Sequence, residues 1–196
     1  MELKISNVGK IDSAEIEIKG ITIIAGLNGT GKSTISRSLF AMFHSFSNIS
    51  RKIRLEKEDA IKRQLEYSGD FSIATHGIGL LTEYLVGNTN EDSIKNGFIF
   101  LNDETDPLLI IEGLTKEIIK INSTFDTSVL REIVLETFKE EFNGNIANIR
   151  NSKESKFELK VKDLKIKAIF DNRGEVLELE HEKELVHEAT YIDDPL

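Results

Sequence analysis

Two stretches of alternating apolar and polar residues flank a long middle region whose apolar positions recur with helical spacing. Near the start, Leu3 and Ile5 share one face and Ile16 and Ile18 another, with residues 7–13 as the turn region between two expected strands. Ile21-Thr22-Ile23-Ile24-Ala25 follows as a short β-branched run, apolar on both faces, which predicts a buried parallel strand. Ile35, Leu39, Met42, Phe43 and Phe46 then recur at helical spacing, so residues 33–46 are expected to be helical. Residues 48–69 read as a charged amphipathic helix, and 71–86 as a second one weakened by Gly77 and Gly79. The polar stretch 88–92 is read as a break.

Residues 108–150 read mainly as helices. Leu114, Ile118 and Ile121 form one stripe; Val129, Ile133, Val134, Thr137 and Phe138 form another, which ends near Gly144. Alternation returns in 157–161, 164–170 and 176–179, which are expected strands. Asp171-Asn172-Arg173-Gly174 makes the hairpin turn between the last two, and residues 188–192 are a further strand candidate. The expected architecture is an α/β scaffold in three parts: N-terminal strands and first helix in 1–47, a helical insertion in 48–150, and an antiparallel β-meander in 151–196.

A chain of 196 residues with 39% hydrophobic content can bury one substantial core and a smaller satellite. No apolar run approaches the ~18 residues needed to span a bilayer, and there is no signal-peptide pattern at the N-terminus. Cysteine is absent, which excludes disulfides and thiolate metal sites. A cytoplasmic protein with no membrane partner is expected. The net charge of −9 argues against strong nucleic-acid binding by this chain. Its densest basic stretch, residues 51–57 with Lys62-Arg63, is interleaved with Glu56, Glu58 and Asp59 and reads as a solvated helix face. His44, His76, His181 and His187 show no metal-ligand spacing.

The chemistry concentrates in Gly26-Leu27-Asn28-Gly29-Thr30-Gly31-Lys32-Ser33-Thr34, which fits the phosphate-loop pattern G-x-x-x-x-G-K-[ST] between an expected strand and an expected helix. Backbone N–H groups of such a loop gather phosphate oxygens, helped by the positive end of the following helix dipole. Glycines permit positive φ and close backbone approach. Asn28, Gly29, Thr30, Gly31, Lys32, Ser33 and Thr34 are the expected nucleotide-binding residues. Lys32 would reach the β- and γ-phosphates, Ser33 would ligate Mg²⁺, and Thr34 would sit near the α-phosphate. ATP and Mg²⁺ are the expected ligands.

The opening residues 3–11, then Ala14-Glu15-Ile16-Glu17-Ile18, then residues 21–34 resemble the start of ABC-type ATPases. The branch resembled is the AAA ATPase group containing structural-maintenance-of-chromosomes proteins, RecF and the overcoming-lysogenization-defect nucleases. That resemblance implies the N-lobe of a P-loop NTPase head, with Asn7 and Lys10 near the nucleotide and the β-meander completing the lobe. It implies dimerisation with a second copy or a second ATPase head around ATP, and an indirect relation to DNA in repair, chromosome maintenance or phage defence.

Residues 98–104, Phe-Ile-Phe-Leu-Asn-Asp-Glu, resemble a Walker B element, whose Asp-Glu pair would hold Mg²⁺ and polarise the attacking water. Asn102 interrupts the pattern, Thr105-Asp106-Pro107 is turn chemistry, and no Ser-Gly-Gly signature precedes it. A loop or short strand is the favoured reading, with Glu104 kept as the one catalytic candidate. Exposed chain-end acids are the favoured reading of Asp193 and Asp194, with the γ-phosphate sensor role left open for either and Gln64 poorly placed. The expectation is therefore an N-terminal half of a longer ATPase, binding nucleotide with negligible turnover alone. Two alternatives stand beside it: a nucleotide-responsive interaction module without catalysis, and a P-loop small-molecule kinase using Asp103 and Arg150. The D-x-x-G spelling of 171–174 lacks the N-K-x-D motif of a GTPase and reads as a turn.

Overall fold

The computed structural model describes residues 1–67, 75–101, 108–124, 126–148 and 153–185. The chain divides into two compact units, Met1–Ile49 with Leu130–Leu196, and Ser50–Val129. In order, the elements are β1 (Glu2–Val8), β2 (Ile11–Glu17), α1 (Lys32–Phe46), α2 (Ile49–Tyr67), α3 (Thr75–Leu85), α4 (Glu91–Leu101), α5 (Leu108–Ser123), α6 (Asp126–Glu141), β3 (Ser155–Val161), β4 (Leu164–Phe170) and β5 (Val176–His181). None of the described helices is long and apolar enough to cross a membrane.

The first unit holds a five-stranded antiparallel sheet in the order β2-β1-β3-β4-β5. Alternation sorts its two faces, broken at Ile169–Phe170, where both residues are buried and the β4–β5 register shifts. Leu3, Leu159 and Ile166 stand opposite one another across the middle strands, and Ile5, Phe157 and Ala168 form the next row; all six are buried. Phe138 of α6 packs into this face, 4.8 Å between ring centroids from Phe157 and 4.7 Å from Phe170. On the opposite face, Glu15, Lys4, Glu158, Lys167 and Glu180 form a row of alternating sign through all five strands. The turn at 171–174 is as the sequence suggests: Asp171 Oδ1 accepts from the N–H groups of Arg173 and Glu175, both at 2.8 Å, and Gly174 takes φ 83°.

The second unit buries Ile61, Leu65, Leu81, Leu85, Ile94, Phe98, Ile111, Leu114 and Ile118 from α2, α3, α4 and α5. The basic stretch of α2 is a salted surface. Arg54 bonds Glu58 at 2.7 Å and Lys57 bonds Asp126 at 2.8 Å, in keeping with a solvated helix face.

Three expectations are corrected. Residues 21–25 form no strand: Ile21 is 93% exposed and Ile23 85%, and no described strand pairs with the run. A parallel strand satisfies its backbone only through lateral neighbours. The antiparallel sheet leaves none for this segment. Residues 98–101 are neither loop nor strand but the end of α4. The polar break before them is the helix start: Asn90 Oδ1 accepts the Ser93 N–H at 2.9 Å, and Glu91 and Asp92 sit in the first turn. Finally, the β1–β2 turn is only Gly9-Lys10, because the buried Val8 and Ile11 still pair across the strands.

Candidate functional site

Glycine conformation shapes the loop. Gly29 takes φ 76° and Gly31 φ 98°, a region that a Cβ disfavours. Gly31 is also the N-cap of α1, left-handed and without a capping side chain, and no acidic residue stands in the helix's first turn. The first-turn amides at Lys32, Ser33 and Thr34 therefore lack the side-chain acceptor that normally satisfies a helix start. A phosphate oxygen supplies that acceptor chemistry.

Lys32 folds back over the loop it follows. Its Nζ donates to the carbonyls of Gly26 at 2.7 Å and Leu27 at 2.6 Å. Thr30 Oγ1 donates to the same Leu27 carbonyl at 2.8 Å, closing the bend from the other side. Asn28 and Ser33 are exposed. The Thr34 carbonyl accepts from Ser38 Oγ at 2.6 Å, tying the first turn of α1 to the second.

The β1–β2 turn packs under this loop. A Cβ placed on Gly29 would lie 3.5 Å from Lys10 Nζ, so a second ammonium stands beside the bend. Thr34 side-chain atoms lie 3.7 Å from where a Cβ on Gly9 would be, and Ile11 fills the space at Gly31. Asn7, the other turn residue singled out by sequence, instead donates from Nδ2 to the Glu154 carbonyl at 3.1 Å.

The donor set suits Mg²⁺ bound with a nucleotide. Magnesium takes few protein ligands, keeps several waters and draws the rest from phosphate oxygens. One exposed hydroxyl, Ser33, in the uncapped first turn of α1 is compatible with that requirement. Among the described residues there is no group of three or more His, Asp or Glu side chains placed to hold a metal by themselves. Asp103, Glu104, Arg150, His187, Asp193 and Asp194 lie outside the described residues.

The groove lined by Glu58, Asp59, Lys62, Glu66, Thr82 and Glu83 in the helical unit, ≈ 380 Å³, has the wrong electrostatics for a polyphosphate. Four carboxylates face one lysine there. Comparison with protein-family models, curated proteins and solved structures finds no match to the chain.

The contacts that hold the bend at 26–34 have no counterpart in its own sequence pattern. Ile11 was legible only as part of a turn region. The buried Asn148, which donates to the Ile11 carbonyl at 3.2 Å, carries no local signal at all.

Proposed function

We propose that residues 26–34 bind the phosphates of ATP with Mg²⁺, as the nucleotide site of a P-loop NTPase lobe of the ABC-type branch that the sequence resembles. The observation that carries this reading is the bend ending on an uncapped helix start, with the Lys32 ammonium gathered over it at 2.7 Å from the Gly26 carbonyl. Backbone amides, the helix dipole, Lys32 and Lys10 all favour an anion at one spot. Ser33 supplies the hydroxyl for the magnesium that accompanies the phosphates.

Binding rather than turnover is the activity assigned to this chain. Phosphoryl transfer to water needs a carboxylate that positions the attacking water and holds the metal. Residues 26–34 contain none, and the candidate Glu104 lies outside the described residues. On this reading a second ATPase head or second copy completes the catalytic site. Repair, chromosome maintenance or phage defence are the processes implied by the resemblance.

Equilibrium binding of ATP, ADP and GTP with and without Mg²⁺ tests the proposal. Adenine preference, with tighter binding when Mg²⁺ is present and no steady-state hydrolysis, is expected. Guanine preference, or hydrolysis that depends on Lys32, would overturn the assignment as it stands.

A further inference from the structure

The loop's hinge is held by a contact chain that begins far away in sequence. Asn148 is 4% exposed, and its Nδ2 donates to the Ile11 carbonyl at 3.2 Å and to Asp12 Oδ1 at 3.1 Å. Ile11 in turn lies against Gly31: a Cβ there would meet Ile11 Cγ1 at 2.8 Å and Cδ1 at 3.0 Å. Gly31 has φ 98° and caps α1. Its neighbour Lys32 is the residue folded over the bend.

The same crossing segment ties the turn at several points. Val8 bridges Ala147, the Gly9 N–H donates to the Ile146 carbonyl at 3.4 Å, and Ser155 Oγ donates to the Asn7 carbonyl at 2.6 Å. Asn148 is the member of this set whose side chain grips Ile11 itself. A left-handed glycine has wide conformational freedom of its own. Whatever limits Gly31 to one conformation must come from packing, and Ile11 is what packs there.

We infer that Asn148 is a positioning residue for the phosphate loop, acting through Ile11 to fix Gly31 and hence the direction of the amides that face the ligand. Loosening this brace widens the range of loop conformations, so only a fraction of molecules present a competent bend, and apparent affinity falls by that fraction. The functional half of the inference rests on the phosphate reading of the loop. The mechanical half does not.

Amide exchange by NMR on the full chain without nucleotide, together with titration of MgATP, tests both halves. The Ile35 N–H donates to the Gly31 carbonyl at 3.1 Å and reports on the hinge; the Ser47 N–H, bonded to the Phe43 carbonyl at 2.9 Å, reports on the far end of α1. In Asn148→Ala, exchange at Ile35 is expected to rise on the order of fivefold to tenfold, the worth of about one hydrogen bond, with Ser47 unchanged. MgATP affinity falls by a similar factor. Ile11→Val, which removes only the δ-methyl against Gly31, produces a smaller change of the same pattern and carries the test if Asn148→Ala does not fold.

Unchanged exchange at Ile35 in the folded variants would overturn the inference. So would equal acceleration at Ile35 and Ser47, which marks general loss of stability. Faster exchange at Ile35 alone, in a protein whose wild type shows no Lys32-dependent MgATP binding, upholds the brace and rejects the phosphate reading.

Discussion

The carboxamide of Asn122 closes the end of α3: its Nδ2 donates to the Leu85 carbonyl at 2.8 Å. The same group donates to the Asn88 carbonyl at 2.7 Å, and its Oδ1 accepts the Gly87 N–H at 2.9 Å. One side chain of α5 thus satisfies three backbone groups of the α3–α4 connection, where Gly87 takes φ 78°. Asn122→Ala removes all three bonds beside the buried Leu85, whose carbonyl keeps only the Asn88 N–H at 3.1 Å. It is expected to destabilise the helical unit by roughly 1–3 kcal/mol, measured by chemical denaturation. A loss below the error of that measurement would mean water takes over all three bonds.

Because Ile21 and Ile23 are exposed, polar substitution there removes little buried surface. Ile23→Thr is expected to change stability by no more than about 0.5 kcal/mol. Leu3→Ala, in the sheet core, costs about 2–5 kcal/mol. If Ile23→Thr proved as damaging as Leu3→Ala, the run would be buried after all and the strand expected from its sequence would be restored.

The charged face of the sheet sets the pH response. Hydrogen bonding from Lys167 holds the Glu178 carboxyl below the usual glutamate range, and bonding from Lys4 does the same for Glu2. A depressed carboxyl pKa stabilises the fold above the unfolded value, and that contribution disappears as pH falls through the folded value. Conversely, Lys167 is raised by its bonds to Glu178 and then Glu180, so its contribution is present below the unfolded lysine value and lost as pH rises through the folded one. A melting temperature flat through neutral pH and falling below the ordinary glutamate value of 4.5 is expected. The amplitude is small, because exposed pairs are screened. Lys167→Met makes the acid limb shallower; an unchanged limb would show that these pairs contribute nothing.

What the sequence made legible was periodic or local. The meander could be read because Phe157, Leu159, Ile166 and Ala168 alternate with charges along half-buried strands, and the glycine bend at 26–34 because its pattern positions are contiguous. Ile21 to Ala25 misled because a doubly apolar run states what a strand needs but not whether a neighbour exists. Phe98 to Leu101 misled because a short apolar run has no period, and the signal that made it helical, the Asn90 cap, sat in what looked like a loop. The brace from Asn148 to Ile11 joins residues 137 apart in sequence, and no pattern in either segment announces it.

Titration calorimetry of MgATP into the wild-type chain and Lys32→Ala, at one fixed ionic strength, bears most directly on the claim that this bend is an ATP site. The account predicts saturable binding at one site per chain in the wild type, weakened about tenfold or more in the variant, since removing the ammonium deletes a charge-assisted hydrogen bond to phosphate. No saturable binding, or equal affinity in the two proteins, would contradict it.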